Sequence, residues 1–301
     1  PGVSPTVALT EATPIATVTL PTAVGQARIA VTIAPATSGG AMDASIRIPR
    51  LTGPTTLDAF VAGGHIPAYV AEFLRALVRA RRSIVIGGPV HAGKTTLLAS
   101  LCAEIPDADV VLTIEEGPEL ALKRPRRDGT VVHEHTLEHV TVPGGAGWER
   151  DKVSFADHAR HALRYDAQWI VLGEARGAEM ADVLAAMTVG VPGMCTVHAD
   201  HASMIMTKVY SYVVKAPEYS GNLALARELA WLAIDVAVHM EHRAGRHEIT
   251  GIVAYNEHGG ETVVYERGAH GGLERRAESI DDLPPRLRDP LRPYLDEVPG
   301  P

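Results

Sequence analysis

A glycine-rich segment carries the clearest chemical signal in the sequence. Residues 88–95 read Gly-Pro-Val-His-Ala-Gly-Lys-Thr and match G-x-x-x-x-G-K-[ST], a pattern whose glycines let the backbone approach a phosphate group closely. The loop N–H groups and the following helix terminus would cradle a β-phosphate, Lys94 would reach the β- and γ-phosphates, and Thr95 would bind Mg²⁺. We therefore expect ATP and Mg²⁺ to be held by Gly88, Pro89, Val90, His91, Ala92, Gly93, Lys94, Thr95 and Thr96.

Two carboxylates directly follow apolar segments and are the candidates for further chemistry. Glu115 ends the run that starts at Val110, and Glu174 ends the run that starts at Trp169. Ligands of open α/β sheets bind at the carboxyl ends of strands, where both side chains are expected. One carboxylate could position an attacking water while the other held Mg²⁺ through its water shell, and the residues leave open which does which. Either alone could equally be a helix-capping or surface acid.

Alternating strands and helices are predicted around these residues. Hydrophobic periodicity predicts the strands Ser83–Ile86, Asp109–Ile114, Trp169–Leu172, Met194–Val197, Val236–His239, Glu248–Tyr255 and Glu261–Tyr265 and the helices Ala68–Arg81, Lys94–Glu104, Phe155–Leu163, Glu179–Val189, Ser203–Val214 and Leu223–Ile234. Ser154 and Asp157 resemble a capping box, and Gly190 is expected to end a helix. The alternation predicts an α/β fold with a mostly parallel sheet covered on both faces.

The chain also divides by composition. Residues 1–55 contain the short predicted strands Ile15–Leu20 and Ala27–Ile33 and the start of a linker spanning Met42–Gly64. Residues 56–278 form the main domain, and residues 279–301, rich in proline and arginine, are expected to be a peripheral tail. Because the chain begins at Pro1 without an initiator methionine, we expect a truncated or processed product with a small, partial N-terminal α/β domain.

Bulk properties restrict the partners. A formal net charge of −8 gives no broad cationic surface, so no direct nucleic-acid partner is expected. The two cysteines, Cys102 and Cys195, lie in apolar segments and suggest a reducing, cytoplasmic setting. The sequence shows neither a membrane-spanning apolar stretch nor a signal peptide, and we expect any membrane association to come through partners.

The order of the motifs resembles the type II/type IV secretion traffic ATPases over roughly residues 40–255. The matching segments are an arginine-bearing linker at 45–47, the glycine loop, an acidic box at 113–120, a Walker B box at 173–177 and a histidine box at 196–199. The subgroup that serves tight-adherence pili and conjugative secretion is the most similar. The resemblance implies a RecA-like P-loop NTPase that hydrolyses ATP and drives a bacterial secretion or pilus-assembly machine.

The resemblance also assigns roles to individual residues. It implies that Glu115 polarises the lytic water, that Glu174 supports Mg²⁺ and catalysis, and that His198 senses the γ-phosphate. Arg47 and Arg164 would complete the site around the phosphates, while Arg176 is expected to pair with nearby carboxylates.

At the level of the assembly, the resemblance implies a homo-hexameric ring with nucleotide between two domains joined by a hinge. The ring would lie in the cytoplasm at the inner face of the cell membrane and act on inner-membrane platform or secretion-channel proteins.

Several residues depart from the family pattern, and two other functions stay open. Glu116 replaces the usual aspartate, Pro118 interrupts the acidic box, and His91 lies inside the glycine loop. The changes permit a scaffold of the same fold that binds nucleotide without hydrolysing it. A kinase acting on a small acceptor is the other alternative, although no lid or acceptor site is recognisable.

The histidine-rich segments raise the alternative of a metal site. His133, His135 and His139 form one group and His158 and His161 another, without a cysteine nearby. We interpret them as solvated side chains.

Overall fold

Two sheets organise the chain. The computed structural model describes residues 9–22, 25–48, 56–125, 129, 131–141, 153–162, 164–269 and 271–300. The strands are β1 (Ile15–Thr22), β2 (Gly25–Thr32), β3 (Asp43–Arg47), β4 (Ile84–Gly87), β5 (Val111–Glu115), β6 (Thr136–Val140), β7 (Trp169–Leu172), β8 (Gly193–Val197), β9 (Val236–Arg243), β10 (Arg246–Tyr255), β11 (Glu261–Arg267) and β12 (Leu273–Arg275). The helices are α1 (Leu57–Ala62), α2 (Ala68–Arg79), α3 (Lys94–Cys102), α4 (Phe155–Ala162), α5 (Glu179–Thr188), α6 (Met204–Val213), α7 (Leu223–Ala233) and α8 (Pro285–Leu291).

The larger sheet has nine strands in the order β12-β11-β10-β9-β4-β8-β7-β5-β6. The strands from β9 to β6 in this order pair in parallel, whereas β9 to β12 pair antiparallel. The predicted α/β fold with a mostly parallel sheet is therefore confirmed. Because these strands are parallel, the carboxyl ends of β4, β5, β7 and β8 lie along one side of the sheet. The glycine loop and the acidic, Walker B and histidine boxes are each found at the end of one of these strands.

Helices cover both faces of this sheet. One apolar core includes the side chains of α1, α2, α3 and α8, and the other includes those of α4, α5, α6 and α7. The predicted capping box opens α4, since the Ser154 N–H donates to Asp157 and the Asp157 N–H donates back to Ser154 Oγ. Gly190 has φ of +97° just beyond α5, as expected for a helix C-terminus. The predicted end of α4 at Leu163 lies outside the described residues.

The segment predicted as a linker contains ordered elements. Asp43–Arg47 forms β3, which pairs antiparallel with β2 in a three-stranded sheet, β1-β2-β3. Leu57–Ala62 forms α1, whose Leu57 and Phe60 are buried. The Thr56 hydroxyl caps this helix by accepting the Ala59 N–H at 3.1 Å. Residues 49–55, the remaining part of the predicted domain boundary, lie outside the described residues.

The C-terminal segment differs from the peripheral tail that we expected. Leu283, Leu287, Leu291 and Leu295 are buried in the core that contains α2 and α3. Leu287 and Leu291, four residues apart, lie on one face of α8, whereas Leu283 precedes this helix and Leu295 follows it. The prolines and arginines of residues 279–301 led us to expect a peripheral tail despite this spacing. In addition, Arg286 binds Asp235, which is itself buried, at 2.9 Å.

The histidines are not uniformly solvated, contrary to our interpretation. His133 is buried, with Nε2 3.2 Å from the Pro106 carbonyl oxygen. His139 on β6 and His158 on α4 contact each other through Nδ1 atoms 3.2 Å apart. The strand β6 was not predicted, and its pairing with β5 makes it the outermost strand on that side of the sheet.

Among the described residues, no helix is both long and apolar enough to cross a membrane.

Candidate functional site

The glycine loop connects β4 to α3, as predicted. Gly88 has φ of +156°, and a Cβ atom there would lie 2.3 Å from the Met240 carbonyl oxygen. Gly93 has φ of +92° directly before α3. Both positions therefore require glycine, one for close packing and both for backbone conformation. His91 also has positive φ, +63°, an uncommon conformation for a residue with a side chain.

Lys94 is held by the loop itself. Its side chain is largely buried, with 7% of the residue exposed, and Nζ donates to the Gly88 carbonyl at 2.9 Å and to the Pro89 carbonyl at 2.8 Å. His198 Nδ1 lies 3.3 Å from the same ammonium group. These contacts match the three donors of a lysine ammonium. Burial lowers the pKa of Lys94, and the charge of Glu174 acts in the opposite direction.

Glu115 lies in a buried position at the end of β5. The residue is 4% exposed, and its Oε1 accepts the N–H groups of Glu119 at 3.1 Å and Leu120 at 3.0 Å. Burial raises the pKa of Glu115 to about 8, despite these two hydrogen bonds. Gly173 allows the close approach, since a Cβ atom there would be 2.9 Å from Glu115 Cγ. Glu115 is thus close to half protonated in mildly alkaline solution.

Glu174 follows β7 and lies between two cationic or polar groups. Its Oε1 pairs with His198 Nε2, and its Oε2 accepts from Arg176 at 2.6 Å. Burial acts to raise the pKa of Glu174, but Arg176 and then His198 outweigh it and hold the pKa below its usual value. Glu174 is therefore kept ionised, in contrast to Glu115.

His198 follows β8 and connects the phosphate loop to the Walker B segment. Since its Nε2 faces the Glu174 carboxylate, Nδ1 is the ring nitrogen that faces Lys94. The His198 ring thus lies between the Lys94 ammonium group and the Glu174 carboxylate. Thr196, two residues earlier, donates to the Gly173 carbonyl at 2.7 Å and fixes the two strand ends to each other.

These groups surround one cavity of about 500 Å³ at the carboxyl edge of the sheet. The predicted residues that line it are Arg47, Val90, His91, Ala92, Gly93, Lys94, Thr95, Thr96, Glu115, Glu174 and His198. Gly88 and Pro89 contribute through the carbonyl groups that hold Lys94. Arg47 reaches the cavity from β3, remains 62% exposed, and pairs with Glu119 at 3.2 Å.

Arg164 is not brought to this cavity. It lies exposed in the turn before β7, at the amino edge of the sheet, whereas Glu174 follows the carboxyl end of the same strand. The four residues of β7 span about 13 Å at the usual rise of a strand. Within one chain, Arg164 therefore lies near the amino ends of the strands, whereas the cavity lies at their carboxyl ends.

Several lining residues were not predicted to form the site. Glu116, Glu119 and Arg176 belong to recognised boxes, so the acidic and Walker B patterns were the signal that could have found them. Phe155 and His247 also line the cavity, from α4 and β10. His247 packs against Gly93, with Nδ1 3.0 Å from the position a Cβ atom would take. No local pattern marks it, because strand pairing alone brings β10 to the loop.

The residues fit Mg·ATP. Glycine conformations place backbone amides at the start of α3, where the helix dipole favours a phosphate group. The Thr95 hydroxyl and the cavity carboxylates offer the oxygen ligands that Mg²⁺ prefers, and Mg²⁺ bound with nucleotide typically takes one or two protein carboxylates besides phosphate oxygens.

Comparison with known proteins gives a consistent result. The model of the family described as type II/IV secretion system protein matches residues 16–279. A protein of Mycobacterium tuberculosis assigned to conjugal transfer is 30% identical over 239 residues, which cover 78% of this chain and 64% of that protein. The type IV secretion system protein PtlH of Bordetella pertussis is 34% identical over 181 residues, covering 58% of this chain and 50% of its own. The chain thus spans about half to two thirds of the length of these relatives.

The fold is also similar to a solved structure. The crystal structure of the VirB11 ATPase from Brucella suis, in complex with sulphate, superimposes with a TM-score of 0.53 at 24% identity. The superposition covers 82% of this chain and 75% of that one. This likeness supports the predicted fold class.

Proposed function

The chain belongs to the type II/IV secretion system protein family, and from that premise we propose that it is an ATP-hydrolysing motor subunit of a bacterial secretion or pilus-assembly machine. One observation carries the hydrolytic part of the proposal. The cavity combines a phosphate-loop lysine with two carboxylates whose pKa values are shifted in opposite directions. Such a pair suits one residue for proton transfer and the other for electrostatic support.

In the proposed mechanism the chain first binds and orients the phosphates. The loop amides and Lys94 bind the β- and γ-phosphates, so Lys94 exchanges its contacts with His198 and the loop carbonyls for phosphate oxygens. Thr95 would hold Mg²⁺ directly and Glu174 would hold it through water. When bound, Mg²⁺ neutralises charge on the phosphate oxygens.

Glu115 then acts on the lytic water. A general base is most effective when its pKa lies near the working pH, and a pKa of about 8 meets this condition. Glu115 polarises the water and takes its proton, while Glu174 remains ionised beside Arg176. His198 contacts both Lys94 and Glu174, which suits it to detect the γ-phosphate.

Cationic support for the phosphates comes from two arginines. Arg47 lines the cavity within the same chain and would leave Glu119 for the γ-phosphate when the N-terminal sheet closes on the nucleotide. Arg164 is supplied by a neighbouring copy, because it lies at the opposite edge of its own sheet. This arrangement requires assembly, for which we propose a homo-hexameric ring.

The relatives suggest where the ring works. PtlH is a type IV secretion system protein and the M. tuberculosis relative is assigned to conjugal transfer. We therefore place the ring in the cytoplasm, at the inner face of the cell membrane, with inner-membrane platform or secretion-channel proteins as its partners.

Steady-state phosphate release from Mg·ATP tests the proposal. Lys94→Ala removes the buried ammonium that contacts phosphate, and we expect no detectable hydrolysis together with weaker ATP binding. Lys208→Ala is the matched control, since Lys208 contacts Tyr212 and does not line the cavity. Wild-type turnover in Lys94→Ala would contradict the assignment, whereas ATP binding without turnover in the wild type would favour the scaffold alternative.

A further inference from the structure

One arginine connects the two acidic segments of the cavity. Arg176 Nη2 donates to Glu174 Oε2 at 2.6 Å, and Arg176 Nη1 donates to Glu116 Oε1 at 2.6 Å. Glu174 follows β7 and Glu116 follows β5, so the guanidinium spans the ends of two adjacent strands. Because this group is a planar fork of fixed geometry, the two contacts set the relative direction of both carboxylates.

The backbone of Arg176 is itself fixed. The N–H groups of Arg176 and Gly177 both donate to Glu179 Oε1, at 2.6 and 2.7 Å. Glu179 begins α5, so the Arg176 backbone is hydrogen-bonded to a helix that packs against the sheet. Because both its backbone and its guanidinium group are hydrogen-bonded, Arg176 has less conformational freedom than an arginine in an isolated surface ion pair.

Glu174 depends on this contact for its orientation. Its Oε2 accepts from Arg176, and its Oε1 lies against His198 Nε2. The charged and titratable groups around Glu174, from its own loop and from the elements packed against it, include Lys94, Glu115, Glu116, Arg176, His198 and Tyr212 of α6. Of these, Arg176 is the one that donates to Glu174 and to a carboxylate of another strand.

We propose that Arg176 is a positioning residue for ATP hydrolysis, which directs Glu174 into the cavity and joins it to Glu116 so that the ends of β7 and β5 act as one unit. The proposal rests on the ATPase function inferred above. Arg176 acts through the two carboxylates and needs no contact with the nucleotide.

Arg176→Ala tests this role directly. We expect kcat to fall about 10²-fold, as for a misplacement of about 1 Å in a catalytic group, while KM and the Kd for a fluorescent ATP analogue change less than about threefold.

Arg176→Lys separates charge from geometry. A lysine keeps the positive charge but cannot bridge two carboxylates with a rigid fork. We therefore expect kcat to stay low in Arg176→Lys. Arg160→Ala is the control, since Arg160 also pairs with two carboxylates, Asp157 and Asp182, and does not line the cavity.

The outcomes are distinct. A wild-type protein that hydrolyses ATP, with an Arg176→Ala variant of unchanged kcat, would overturn this inference alone. Absence of phosphate release from the wild type would overturn the proposed function and this inference with it. A loss of kcat equal to that of Arg160→Ala would show a general structural effect and would also count against the proposal.

Discussion

At the scale of single residues, Glu115 and Glu174 show how two carboxyl groups in one cavity acquire different chemistry. Glu115 is buried and accepts two backbone N–H groups, which do not compensate for its desolvation. Glu174 is beside a guanidinium and an imidazole. Environment therefore separates their protonation states, although both residues end a parallel strand.

The first residue-scale prediction concerns rate. Because Glu115 has a pKa of about 8, its basic form increases as pH rises from 7 to 9, and turnover should rise over the same interval. Glu115→Gln removes the charge with little change in volume, so ATP binding should persist while kcat falls on the order of a hundredfold. Initial rates of phosphate release across this pH range, beside equilibrium ATP binding, provide the check. A Glu115→Gln variant with normal kcat would exclude Glu115 as the base.

The second residue-scale prediction concerns stability. The pKa of Glu115 is raised from 4.5 to about 8 in the folded chain, so the folded state binds more protons than the unfolded state between these values. The free energy of unfolding should therefore decrease as pH rises from about 4.5 to about 8. Glu115→Gln lacks this dependence and should melt several degrees higher than the wild type at pH 8.5. Thermal unfolding without nucleotide measures this, with the exposed Glu278→Gln as control, and a wild-type Tm at pH 8.5 would count against the burial argument.

At the scale of elements, the C-terminal segment supplies a clear prediction. Leu287 is fully buried in α8 and packs in the core that contains α2 and α3. Leu287→Ala should cost about 2–5 kcal/mol of unfolding free energy, because it removes transfer energy and leaves a cavity. Leu225→Ala, at a leucine of α7 that is 41% exposed, should cost much less. Urea denaturation measures both, and equal small effects would mean that the segment is peripheral after all.

Sequence patterns predicted the central elements well because each had a local cause. The strands that carry Glu115, Glu174 and His198 are apolar runs, and the glycine loop has a fixed spacing between strand and helix. The short strands β3 and β6 were missed, since pairing with a neighbour stabilises them more than their own composition does. The leucine spacing of α8 was present but was outweighed by the prolines and arginines around it.

The site was predictable to the extent that its residues belong to ordered motifs. The predicted pairing of Arg176 with nearby carboxylates is confirmed, although the sequence pattern does not specify Glu174 and Glu116 as the partners. His247 reaches the cavity through strand pairing, which no local pattern reveals. Arg164 was predicted as a site residue from its motif, but its position before β7 keeps it out of the cavity of its own chain.

At the scale of the whole molecule, we propose that the site is incomplete in one copy of the chain. The cavity contains Lys94 and Arg47, but the second predicted arginine, Arg164, lies at the far edge of the sheet. An arginine supplied in trans typically contributes ~10³-fold or more to the rate of phosphoryl transfer. Hydrolysis should therefore depend on association of the chains.

The dependence of hydrolysis on association is tested by measuring the ATPase rate against protein concentration, with molecular mass determined in the same buffer. We expect specific activity to rise through a midpoint that coincides with oligomerisation. Arg47→Ala should slow turnover at every concentration while nucleotide binding through Lys94 persists, and Arg164→Ala should remove the rise with concentration. Full activity from a demonstrated monomer would contradict the account of an assembled motor, even if ATP binding were confirmed.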